Sequence, residues 1–207
     1  CRVPGIGDRP DHAQPSHAPT GHTGEYMSLQ AYIAELEAKP DLAEVELYGP
    51  LDAEIMRGVL GYPKGRVRTN QRRQDGIPDL TLCSDQDEQW VVCEVKVSDD
   101  EIRREDRRRR LWDEQARRYI EPETMYVLLV GPRTIYVCDL AGTIVQGVHI
   151  GALELTDVLT GESRPPGDAE LRDALSLVTY EEACSQRKYD TFRRGAAPPA
   201  RLALDED

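Results

Sequence analysis

Residues 77–97, Ile-Pro-Asp-Leu-Thr-Leu-Cys-Ser-Asp-Gln-Asp-Glu-Gln-Trp-Val-Val-Cys-Glu-Val-Lys-Val, constrain the fold more than any other stretch of the chain. Two short apolar runs flank the polar run Asp85–Glu88, the pattern of a β-hairpin. Folded about that turn, Leu82 faces Val91, Leu80 faces Cys93 and Asp79 faces Glu94. Side chains alternate along a strand, so Leu80, Leu82, Val91, Cys93, Val95 and Val97 share one face, which reads as core. Asp79, Glu94 and Lys96 share the other. Two carboxylates and an ammonium are expected together on a rigid scaffold.

Facing carboxylates repel unless something cationic lies between them. Hard divalent ions with oxygen ligands answer that need, Mg²⁺ above all, with Mn²⁺ as a substitute. Lys96, two residues after Glu94 on the same face, is within reach of an attacking water or a phosphate oxygen. Such a set suits phosphodiester hydrolysis, with the metal acidifying the water and the lysine orienting it or offsetting developing charge. The plainer alternative is an exposed polar face carrying an Asp–Lys or Glu–Lys pair. A histidine-dependent phosphoesterase is disfavoured, because His149 stands alone outside the first 26 residues.

At 207 residues the chain is long enough for one domain with appendages, and no apolar run approaches the roughly 20 residues of a membrane span. No secretory signal pattern is present at the N-terminus. Cys1, Cys83, Cys93, Cys138 and Cys184 are scattered and form no Cys-x-x-Cys pair. Three of them fall in expected strands, where a thiol acts as a small buried hydrophobe, so a reducing cytoplasmic setting is expected rather than a disulfide or zinc framework. A net charge of −12 is not that of a nonspecific nucleic-acid binder, but the charge is unevenly spread. Lys64–Arg73 holds five cations and no acid, and Arg103–Arg118 holds eight arginines against four acids. Solvated faces are the plain reading of both runs.

Residues 1–26 read as a disordered tail, rich in Pro, Gly and His without apolar periodicity. His12, His17 and His22 recur within it, and Met27 reads as a natural start unless the chain is part of a longer protein. Helices are expected over 28–38 and 51–60, then a turn at Gly61-Tyr-Pro-Lys-Gly65 and a basic strand, Arg66–Arg72, with Arg66, Arg68, Asn70 and Arg72 on one face. One long helix is expected over 99–120, with Trp112, Gln115, Ala116 and Tyr119 as its inner stripe. Met125–Val130 is apolar throughout, as in a strand covered on both faces, and a helical crossover puts it parallel to the strand holding Glu94. Thr134–Asp139 and Thr143–Val148 form a second hairpin. A polar connector over 161–168 leads to a helical segment at 169–193 and a Pro-containing acidic end.

Pro78-Asp79, a gap of fourteen residues and Glu94-Val95-Lys96, placed on hairpin strands before a helix, resemble the PD-(D/E)xK nuclease superfamily over about residues 44–148. The resemblance implies an α/β fold with a restriction-endonuclease-like core: a central mixed β-sheet flanked by helices in the order αβββαβ, here with a C-terminal helical extension. It divides the chain into a tail (1–26), a nuclease domain (27–160), a helical connector (161–194) and a tail or linker (195–207). It further implies a Mg²⁺-dependent DNA endonuclease in which Asp79 and Glu94 bind metal and Lys96 assists the water. Glu54 falls where many members carry a further metal-supporting acid. Gln115, followed by Tyr119, resembles the Gln-x-x-x-Tyr of restriction-type members.

Within the superfamily the motifs look most like nuclease modules of type I and type IIG restriction enzymes. That likeness implies a defence role, with a fused or associated methyltransferase or helicase as partner, although this chain carries no motif of either. Double-strand cleavage by a one-site module implies a second copy, a homodimer. Arg66, Arg68 and Arg72 on the strand and Arg107 and Arg108 on the helix are the candidates for DNA phosphate contacts, which position a substrate without reading its sequence. The alternative is a catalytically silent fold of this type that binds nucleic acid or a protein.

Overall fold

The computed structural model describes residues 28–69 and 77–195, with side chains through 188. The expected hairpin is present as β2 (Leu80–Cys83) and β3 (Gln89–Val95). Its register pairs Leu80 with Cys93, Thr81 with Val92 and Leu82 with Val91, then shifts so that Cys83 meets Gln89. Ser84 closes the turn: its Oγ accepts from the amides of Gln86 and Glu88, both at 3.0 Å, and its own N–H donates to Glu88 O at 2.9 Å. Asp87 takes the left-handed conformation (φ 66°) that the turn requires, which a short polar side chain tolerates better than most.

The hairpin lies in a mixed sheet of eight strands whose spatial order follows the chain. β1 (Val67–Thr69) pairs antiparallel with β2, and β4 (Tyr126–Val130) pairs parallel with β3 so that Glu94 lies beside Leu129. β5 (Thr134–Cys138), β6 (Ile144–Ile150), β7 (Leu155–Asp157) and β8 (Ser163–Arg164) continue antiparallel. The parallel step is where the helical crossover enters, since no tight turn can join parallel neighbours.

Each face of the central strands has its own core. Leu80, Leu82, Val91, Cys93, Val95, Leu128 and Val130 pack under the N- and C-terminal helices, while Val92, Val127 and Leu129 meet Ile102, Leu111, Trp112 and Ala116 of the crossover. Val97 departs from the expected core stripe. β3 ends at Val95, so the alternation stops there and Val97 is 45% exposed.

The helices differ more from expectation. After α1 (Ser28–Ala38), helix begins at Glu44 rather than at 51: α2 (Glu44–Pro50) runs directly into a π-helical stretch, Leu51–Val59. Pro50 has no N–H to return to the preceding turn, and the winding beyond it loosens to bonds such as Leu60 N–H to Ile55 O at 2.9 Å.

The expected helix 99–120 is three pieces: α3 (Asp99–Arg103), α4 (Glu105–Glu114) and a 3₁₀ turn, Ala116–Tyr119. Arg104 is extended (ψ 122°), and Glu105 and Asp106 supply the acids that favour a fresh helix N-terminus. Arg108 spans the break, donating to the carbonyls of Ile102 and Arg103 at 3.1 and 3.2 Å.

α5 (Asp168–Ala174), a 3₁₀ turn (Ser176–Val178) and α6 (Tyr180–Gly195) follow the sheet. Leu171, Leu175, Val178 and Ala183 belong to the larger core, and the Asp168 carboxylate caps α1 by accepting from the amides of Ser28 and Leu29 at 2.9 and 2.7 Å. The segment expected as a connector is thus built into the same core.

Candidate active site

Asp79 lies just before β2 and Glu94 one residue before the end of β3, so the open end of the hairpin holds both acids. The Asp79 carboxylate is held on both oxygens: Oδ1 accepts from Tyr48 Oη–H at 2.6 Å and Oδ2 from the Val95 amide at 2.8 Å. Glu94 is only 4% exposed, and its Oε1 accepts from Lys96 Nζ at 2.8 Å. Lys96 extends the β3–β4 pairing by donating its amide to Val130 O at 2.8 Å, which fixes the root of its side chain. Its ammonium also lies 3.8 Å from Glu44 Oε2.

Two carboxylates, those of Glu94 and Glu44, therefore pair with one ammonium, and the charge of Asp79 acts on it as well. Tyr48 has a single hydroxyl proton for two acceptors, Asp79 at 2.6 Å and Glu44 Oε1 at 3.2 Å. Negative charge is in excess, and the titration of the groups reflects it. Burial, then the charge of Asp79, pushes the Glu94 carboxyl up to about 7, against the opposing pull of Lys96. Burial works to lower Lys96, but the carboxylates of Glu94, Glu44 and Asp79 outweigh it and hold its ammonium above the ordinary range. Burial raises Tyr48 and Tyr119 as well, assisted in both by nearby carboxylates.

Among the described residues no three His, Cys, Asp or Glu side chains converge as a ready metal cage. The donors at hand are all carboxylate oxygens with uncompensated charge. They fit a hard divalent cation held by one or two carboxylates and otherwise by water and phosphate oxygens, the usual habit of Mg²⁺.

The acid that the structure sets against Lys96 from the first helical region is Glu44. Glu54 is half-buried in the π-helical stretch, ten positions further on, and makes no ion pair or hydrogen bond among the described residues. Placing the helix start at 51 hides Glu44 and Tyr48, whose i, i+4 spacing on one helical face is the signal the sequence offers. Gln115 is exposed instead of belonging to an inner stripe, because the chain leaves the helix there (φ −126°, ψ −75°). It nevertheless lines a cleft of about 310 Å³ with Lys96, Ser98, Glu101, Arg107, Arg110, Leu111 and Glu114.

The expected phosphate-contacting arginines divide. Arg66 pairs with Asp85 at 3.5 Å and with Asp87, and Arg68 pairs with Asp87, all at the turn end of the hairpin. Arg108 is committed to the helix break and to the Tyr136 ring, 5.6 Å from its guanidinium carbon. Arg107 is exposed beside Lys96, and Arg110, absent from the sequence-based set, joins it in the cleft. Arg72 lies outside the described residues.

No protein-family model and no curated protein matches the sequence. Among solved structures, the chain is similar to one described as the cryoEM structure of a DrdV–DNA complex, with 18% identity and a TM-score of 0.38 over 60% of this chain and 85% of that one. A likeness of that size carries no weight in the assignment of function. No helix among the described residues is long and apolar enough to cross a membrane.

Proposed function

We propose that the chain is a Mg²⁺-dependent endonuclease of the PD-(D/E)xK type that hydrolyses DNA phosphodiester bonds, a nuclease module of a restriction or related defence system. The observation that carries this reading is the buried Glu94 bonded at 2.8 Å to Lys96, beside a doubly anchored Asp79. Asp79 and Glu94 would hold the metal. When bound, Mg²⁺ supplies acidification of the attacking water and stabilisation of charge on the phosphoryl oxygens.

The chain's own groups do the rest. Tyr48 and the Val95 amide keep the Asp79 carboxylate in one orientation, so it needs little reorganisation when substrate arrives. The Lys96 ammonium, only 12% exposed, offers further protons to the attacking water or to a phosphate oxygen while it stays on Glu94. Burial of Glu94 and Lys96 keeps these interactions in a low-dielectric setting, where they act more strongly than in bulk water.

Plasmid cleavage with Mg²⁺ tests the reading. The wild type should nick or linearise the plasmid, and Asp79→Ala and Lys96→Ala should each lose on the order of 100-fold or more in rate. Equal cleavage by all three would sink the assignment. A silent binding fold is the second reading, favoured by the lack of a three-ligand metal cage among the described residues. Calorimetry separates the two, since that reading requires no uptake of Mg²⁺ or Mn²⁺.

A further inference from the structure

α4 presents arginines in two directions, and the difference points to where a substrate strand runs. Arg107 and Arg110, one turn apart, line the 310 Å³ cleft that also holds Lys96 and Gln115. Arg109 and Arg117 line a separate cavity of about 540 Å³ with Trp112 and the Leu140–Gly142 turn. Among the described residues neither Arg107 nor Arg110 has an acid partner, although Glu101 and Glu114 share their cleft. Arg66, Arg68 and Arg108, by contrast, are already engaged. Two uncompensated guanidiniums thus open onto a cluster whose own charge is negative. A polyanionic ligand entering there meets three cations, Arg107, Arg110 and Lys96, against the two acids Glu101 and Glu114 in the same lining.

We propose that the Arg107–Arg110 cleft holds a phosphate adjacent to the scissile one, so that the DNA backbone enters the site along this face of α4. The inference rests on the nuclease reading and deepens it: the substrate is a strand with at least one phosphate beside the bond that breaks. The two arginines act by binding and register, not on the reacting atoms. Their planar forks suit phosphate oxygens, and two of them one turn apart fix a direction as well as a position. Gln115, the residue just after α4, lines the same cleft.

The experiment compares the double variant Arg107→Gln/Arg110→Gln with Arg109→Gln/Arg117→Gln and with wild type, each checked by thermal melting. Binding of a short fluorescein-labelled DNA duplex is followed by anisotropy in EDTA over a salt series. Each phosphate that is no longer neutralised should make the slope of log affinity against log salt shallower by about 0.9. The cleft variant, which loses one neutralised phosphate, should therefore change the slope by about 0.9 and bind more weakly near 0.1 M salt, on the order of 10-fold. The Arg109/Arg117 variant should follow wild type.

With Mg²⁺, the cleft variant should raise KM for the duplex with little change in kcat. It should hydrolyse bis(p-nitrophenyl) phosphate, a diester with no neighbouring phosphate, as wild type does. If wild type cleaves DNA and the cleft variant keeps its salt slope and KM, or if both double variants lose binding equally, the cleft assignment is wrong and the nuclease reading stands. If the slope changes as expected while no protein hydrolyses either diester, the phosphate cleft stands and the nuclease reading fails.

Discussion

The two ends of the β2–β3 hairpin both carry charge, and they treat it in opposite ways. At the turn end, Asp85 and Asp87 meet Arg66 and Arg68, so cations and anions balance and every side chain lies toward solvent or at its edge. At the open end, Glu44 and Glu94 pair with the single ammonium of Lys96 and the Asp79 charge acts on it too, with Glu94 buried and Lys96 12% exposed. Balanced surface pairs add little and ask for nothing. A buried carboxylate with more acids than cations around it is costly to charge, and a proton or a bound cation offsets that cost. The same strands therefore carry a structural end and a reactive end, told apart by net charge and burial and not by residue type.

That contrast breaks most readily at Glu94. With its folded value near 7 and an ordinary value of 4.5, the native state binds more protons than the unfolded chain between those limits. Stability of the metal-free protein should consequently fall as pH rises from about 4.5 to 7, by at most about 3 kcal/mol, and level off above. Urea melts in EDTA across that range should show the decline, and Glu94→Gln should remove most of it. An unchanged profile in the variant would mean that Glu94 is not the strained group.

A smaller effect is expected at Tyr48. Tyr48→Phe removes the 2.6 Å donor to Asp79, should cost about 1 kcal/mol in stability, and should slow DNA cleavage more than it weakens DNA binding. Equal cleavage rates would show that the Val95 amide alone orients Asp79. The smallest effect belongs to the turn end. Arg68→Gln should alter stability by less than about 1 kcal/mol and leave both cleavage and the salt dependence of DNA binding unchanged. A shallower salt slope in Arg68→Gln would erase the distinction between the two ends.

The hairpin was legible because two periodicities agreed: alternation set the register of Leu80, Leu82, Val91 and Cys93, and the polar run set the turn. The parallel placement of Met125–Val130 followed from a crossover rule, and the observed β3–β4 pairing agrees with it. The crossover itself was misread as one helix, because Arg103–Arg118 contains no residue that forbids helix; the break at Arg104 depends on Arg108 reaching back to carbonyls. β7 and β8, three and two residues long, are too short for alternation to register. Glu44 escapes a helix expected only from 51, whereas helix already spans Glu44–Pro50 and runs on into a π-helical stretch.

Local pattern was enough to specify which strands pair, which faces are apolar and that Asp79, Glu94 and Lys96 lie at one end of one hairpin, since period-two alternation is a property of neighbouring residues alone. Which third acid joins them, which tyrosine holds Asp79 and which arginines are left without partners are matters of contact between distant segments. Tyr48 and Asp79 are 31 positions apart, Arg66 and Asp87 are 21 apart, and no local periodicity encodes either meeting. Those pairings arise only when helices and sheet close around the shared cores. The charge balance that separates the hairpin's reactive end from its structural end is set at that same step.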